Sequence, residues 1–183
     1  MAEHIYQPPM NPVRFVVLIP HRDAAGIIED YKRRLFRAGA IGAYSFPIAA
    51  PLAAVSRPFT PAELKAEAYA LRESSGAEGK DGKIAGGGLQ ILRYPPEEPV
   101  FTLFGLSLDA SPPNPPSPPA IYRFPSLVLC AGVFPPCPDI PPPPCFFRAA
   151  MVANMAIRPL ASGTAGYSFE WKIGVPVWLP KRK

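Results

Sequence analysis

Two histidines and three cysteines in 183 residues leave little from which to build a zinc site. Cys130, Cys137 and Cys145 form no CxxC pair, and His4 and His21 lie far from them in sequence, so no zinc site is expected. An odd cysteine count without a secretory leader reads as reduced thiols. There is no apolar run of about 18 residues, so no membrane-spanning helix is expected. The N-terminus, "MAEHIYQPPMNP", lacks the basic-then-apolar order of a signal peptide. The expectation is a soluble, cytoplasmic chain. "GKDGK" (79–83) has no P-loop pattern around it and "GGG" (86–88) no GxGxxG context, so no nucleotide cofactor is implied. The net charge of +5 includes the terminal Lys181-Arg182-Lys183, and the remaining basic residues are interspersed with acids. No nucleic-acid stripe results.

Hydrophobic residues, by contrast, make up 48% of the chain, enough for a core, and residues 1–183 read as a single domain. The 28 prolines therefore punctuate structure instead of marking disorder. They cluster in "PPNPPSPP" (112–119) and "PPCPDIPPPP" (135–144), where fixed φ and missing N–H groups favour extended surface connectors. "RFVVLI" (14–19) is a buried strand. A helix follows, capped by Asp23, with Ile27, Ile28, Tyr31 and Leu35 as its core stripe and Gly39 closing it. "SFPIAAPLAAVSRPF" (45–59) is almost uncharged and reads as a buried strand with an apolar bend. Thr60, Pro61 and Glu63 then form the N-cap, first turn and capping box of a second helix, with Leu64, Ala68 and Leu71 on its buried side. The glycines of 86–88 mark a bulge or entry to the strand "LQILRY". Further strands are expected at 101–108, 127–134, 147–157 and 168–177. Early helices, later strands and hairpin-scale connections predict an α+β fold with antiparallel pairing.

The first helix, the "SFP" entering the apolar stretch and the late strand "FRAAMVANMAIRPL" (147–160) together resemble the 2H phosphoesterase superfamily, which includes RNA 2′,3′-cyclic phosphodiesterases and 2′-5′ RNA ligase-like proteins. The resemblance implies two pseudo-symmetric lobes of antiparallel sheet around a central cleft, with helices on the outside. Each lobe of that family contributes one H-x-T motif, whose histidines act as general acid and base. Here the first motif falls within "FPIAAPL", placing Ala49 and Pro51 at its functional positions, and the second within "VANMAIRPL", giving Asn154 and Ala156. The signature is absent at both. Alanine, proline and amide side chains cannot exchange protons near neutral pH, and one positioned acid or base supplies roughly 10²–10⁴-fold in rate, so hydrolysis is not expected. His21 reads as a cap or surface group.

Strand alternation puts Arg148, Ala150, Val152, Asn154, Ala156 and Arg158 on one face, read as the cleft, and Phe147, Ala149, Met151, Ala153, Met155 and Ile157 on the other, read as core. The cleft then has small side chains, one amide and guanidinium groups at its ends. A decayed, partly collapsed site is one reading. The other is a roomy, largely apolar pocket for a small organic ligand. In that reading a cofactor-independent cyclase or isomerase would work by shape and hydrogen bonds. Asn154 would polarise a carbonyl, Arg148 or Arg158 would hold a carboxylate or enolate, and Tyr122, Tyr167 or Trp171 would supply an aromatic wall. A non-catalytic protein that binds nucleotides or RNA ends is the alternative, and residual phosphodiesterase activity the third. Oligomeric state is left open by the sequence.

Overall fold

The computed structural model describes residues 12–44, 47–74, 83–94, 101–108, 119–123, 126–132, 146–160 and 168–178. Most of both proline clusters, and the turn at 79–82, lie outside them.

The apolar run beginning at Val13 becomes β1 (Val13–Pro20), whose side chains are buried on both faces from Phe15 to Leu18. Helix α1 (Arg22–Arg37) follows directly, with His21 as N-cap: its ring accepts from the Asp23 amide, at 3.5 Å. The cap thus lies two residues before the expected Asp23, which instead occupies the first turn, where a negative charge suits the helix dipole. Ile28, Tyr31 and Leu35 form the buried stripe. Ile27, expected among them, is 47% exposed, because one step of about 100° from Ile28 takes it past the edge of the packed face. Gly39 ends the helix at φ 94°, with its own amide donating to the Phe36 carbonyl and that of Ala40 to the Leu35 carbonyl, both at 3.0 Å. This is a Schellman closure.

A short 3₁₀ turn (Ile41–Tyr44) leads to β2 (Ala50–Val55), the buried strand expected within the apolar stretch. Ala53 pairs with Val16 on β1 and Pro51 with Val17, which leaves Leu52 as an extra residue. A bulge beside a proline is expected, since proline cannot donate to a regular ladder. Helix α2 (Pro61–Ser74) starts on the capping box predicted for it. Thr60 donates its amide to Glu63 Oε2 at 2.7 Å and the Glu63 amide donates to Thr60 Oγ1 at 3.3 Å. Arg57 adds a two-pronged contact to the same carboxylate at 2.9 and 2.8 Å.

The rest is strand: β3 (Lys83–Tyr94), β4 (Phe101–Leu108), β5 (Ala120–Arg123), β6 (Ser126–Gly132), β7 (Phe146–Leu160), β8 (Ser168–Ile173) and β9 (Val177–Trp178). The last two divide what alternation marked as one strand, and β5 was not foreseen. A register shift between Gly86 and Leu89 against β4 is the bulge expected at the glycine run. The fold is α+β, with two helices and an open sheet in which every pairing is antiparallel; the hydrogen-bonded path runs β5-β2-β1-β7-β3-β4-β6.

β7 organises the molecule. One of its edges pairs with β1 from Ala149 to Ile157, while β3, β9 and β8 share the other in succession. Val16 and Leu18 on β1 and Val152 on β7 pack with Ile28, Leu35, Phe59, Leu64 and Ala68 beneath the helices. On the opposite face, Phe15, Val17, Ala49, Ala54, Ala153, Met155 and Ile157 form a second core cluster.

Candidate functional site

Antiparallel register decides which residues can meet, because directly opposed residues share a face. Arg14, Val16 and Leu18 stand opposite Ala156, Asn154 and Val152. Those six therefore lie on the helix side of the sheet, where Val16, Leu18 and Val152 are in the core. The face expected to be an open cleft is thus roofed by helices at Val152, and on the face expected to be the core Ala153, Met155 and Ile157 are buried as well. Along β7 cover thins steadily: Val152 is buried, Asn154 and Ala156 are half-buried and Arg158 is exposed. The helix layer ends there.

At that rim lies a recess of about 280 Å³. Ala156 and Asn154 on β7, Arg14 on β1, Lys172 on β8, Gly174 just after β8 and Pro58 ahead of α2 line it, and Phe15 and Met155 complete the lining. Ala156 sits in the centre of a row, opposite Arg14 on one side and Lys172 on the other. Neither cation has an ion-pair or hydrogen-bond partner among the described residues.

Asn154 is not the free amide expected of a ligand-orienting residue. Its Oδ1 accepts from the Phe59 amide and its Nδ2 donates to the Phe59 carbonyl, each at 2.8 Å. The side chain thus acts as one more peptide unit, offering a donor and an acceptor to a backbone segment that no strand reaches. The clasp holds the lead-in to α2 against β7, which fixes Pro58 as one wall of the recess and sets the Phe59 side chain into the core. One Nδ2 hydrogen remains beyond this pair.

The other expected site residues scatter. Pro51 is opposite Val17, and Ala49 packs in the cluster containing Val17, so both lie on the far face from Asn154 and Ala156. They do not converge with the β7 positions: β1 lies between β2 and β7, and the bulge at Leu52 sets which β2 residues face the helices. Trp171 stands opposite Ile157, again on the far face, and is 45% exposed. Arg158 stands opposite Glu170 and does not line the recess. Arg148 and Tyr122 have backbone partners in Lys83 and Ala54, but their side chains, and all of Tyr167, lie outside the described residues.

Arg14 and Lys172 were missed. Each has a weak signal: Arg14 heads an otherwise apolar run, and Lys172 occupies a polar register of "SFEWKI". Only strand order brings them to the same alanine. No histidine or carboxylate among the described residues lines the recess. His21 is at the far end of β1, seven residues from Arg14 or roughly 23 Å along an extended strand. Among the described residues no group of three or more His, Cys, Asp or Glu is placed to hold a metal, and no helix is long and apolar enough to cross a membrane. Comparisons of the chain with protein-family models, with curated proteins and with solved structures find no match.

Proposed function

We propose that this is a cytoplasmic 2H phosphoesterase-like protein, with the two-lobed ancestry of that superfamily, whose rim recess binds a small, largely apolar organic ligand. The observation that carries this reading is the recess itself, where a single methyl at Ala156 leaves about 280 Å³ open between Pro58, Gly174 and two cationic arms. A small concave site with mostly apolar walls and a few polar groups is the usual form of a small-molecule site. Among the described residues no histidine or carboxylate lines it, which argues against inherited phosphodiester hydrolysis. Chemistry available to such a site is a rearrangement or cyclisation in which the protein holds a flexible substrate near its reactive conformation, without a cofactor. The cations also favour a second reading, a non-catalytic protein that binds nucleotides or RNA ends.

Native mass spectrometry of the full chain after incubation with a metabolite extract tests the proposal. A small organic adduct should appear on the wild type and be lost from Ala156→Leu, which fills the recess. Adducts that persist in Ala156→Leu would place binding elsewhere, and adducts made up of nucleotides alone would support the second reading. Turnover of a 2′,3′-cyclic nucleotide that survives His21→Ala would sink the non-hydrolytic assignment.

A further inference from the structure

We infer that the ligand is an organic acid, its carboxylate gripped between Arg14 and Lys172 above Ala156. The inference rests on the reading of the recess as a ligand site and adds the class of ligand. Arg14, Ala156 and Lys172 form one cross-strand row over three adjacent strands. Neighbouring strands are about 4.8 Å apart, so the two cationic residues are anchored roughly 10 Å from each other. Both line the same recess. Long flexible stems let their charged heads close on a common group, and the methyl of Ala156 puts nothing between them.

Local charge favours an anion. On the described parts of this face, Arg14, Arg158 and Lys172 meet one carboxylate, Glu170, which stands opposite Arg158. The nearby Arg57 is occupied by Glu63. That leaves Arg14 and Lys172 uncompensated among the described residues, and the cost of bringing two cations together is relieved when an anion binds.

The donors match a carboxylate better than a phosphate. A guanidinium presents a planar fork suited to two carboxylate oxygens, an ammonium adds a point charge, and the spare Nδ2 hydrogen of Asn154 can supply one further bond. Used as two guanidinium bonds, one ammonium bond and one amide bond, they fill the roughly four lone-pair sites of a carboxylate, whereas the three terminal oxygens of a phosphate monoester ask for more. Pro58, Ala156 and Gly174 then suit an apolar body.

The test uses the full chain and three probes: cyclohexanecarboxylate, its neutral analogue cyclohexanecarboxamide, and phenyl phosphate, titrated at low salt and followed by amide chemical shifts around Ala156. The carboxylate should bind about tenfold more tightly than the amide, the scale of one charge-assisted contact, and lose that preference in 0.5 M salt. Arg14→Gln and Lys172→Gln should each remove most of the preference for acid over amide. Equal binding of acid and amide, or a preference that survives the double variant, would overturn the carboxylate inference while leaving the ligand site standing. Tighter binding of phenyl phosphate would replace it with a phosphate site. If no probe shifts the recess amides, the ligand site falls and the inference with it.

Discussion

Replacing Asn154 with alanine deletes both halves of the clasp that ties the entrance of α2 to β7. Two hydrogen bonds of 2.8 Å are lost, and the Phe59 amide and carbonyl are left without their partner. Each such bond contributes about 0.5–1.5 kcal/mol net, and a polar group left dry costs about 1–3 kcal/mol. Asn154 is only half-buried, at the rim, so water can reach part of the vacated site. The expected loss is therefore about 2 kcal/mol, a sizeable share of the roughly 5–15 kcal/mol that holds a domain together. For a chain of this length it corresponds to a fall in Tm of about 4–8 °C. Urea titration and thermal melts measure the loss, and faster hydrogen exchange at the Phe59 amide localises it. Asn154→Asp sharpens the test. Its carboxylate still accepts from the Phe59 amide but faces the Phe59 carbonyl with no proton to donate, so the variant is destabilised at neutral pH. Its pKa in the fold is then raised above the unfolded value, and stability returns as pH falls and the acid becomes a donor. A loss below about 0.5 kcal/mol in Asn154→Ala, or an Asp variant indifferent to pH, would refute the clasp as a structural element.

The carboxyl of Glu63 is lowered to about 2, first by the Arg57 hydrogen bond and then by the Thr60 amide. Because its folded pKa is depressed, its contribution is present above the unfolded value near 4.5 and fades as pH falls toward 2; Glu63→Gln should flatten the pH dependence of the melting temperature in that window. Gly39→Ala should cost about 1–2 kcal/mol by denaturant titration, all of it from the left-handed backbone at φ 94°, since nothing lies within 4 Å of the added methyl. A neutral result would mean that the helix end relaxes out of its Schellman closure. Leu35→Ala, at a fully buried position, should cost about 2–5 kcal/mol, whereas Ile27→Ala on the same helix should stay within about 0.5 kcal/mol. Equal losses in calorimetry would show that α1 packs on a different face.

Local signals carried the helices and most strands. Thr60, Pro61 and Glu63 specify the start of α2 through bonds within four residues, and Gly39 marks the end of α1 because only a residue without a Cβ takes that backbone cheaply. The uninterrupted apolar run of β1 announced a strand buried on both faces, and antiparallel pairing followed from the short connections between strands. The candidate site was legible only at Asn154 and Ala156, and there the period of two placed them on one face together without saying what lay above. Whether that face was cleft or core depended on where the helices dock. Arg14 and Lys172 are 158 positions apart in the chain and meet only because β1 and β8 take opposite edges of β7. The partner of Asn154 is a backbone segment 95 residues away, and an amide carries no mark in sequence that separates binding a ligand from binding its own chain. Ala49 and Pro51, for their part, are assigned their face by a bulge at Leu52 and by strand order. Short-range bonding and side-chain periodicity are written in consecutive residues; pairing register and helix docking are settled by the packing of the whole chain.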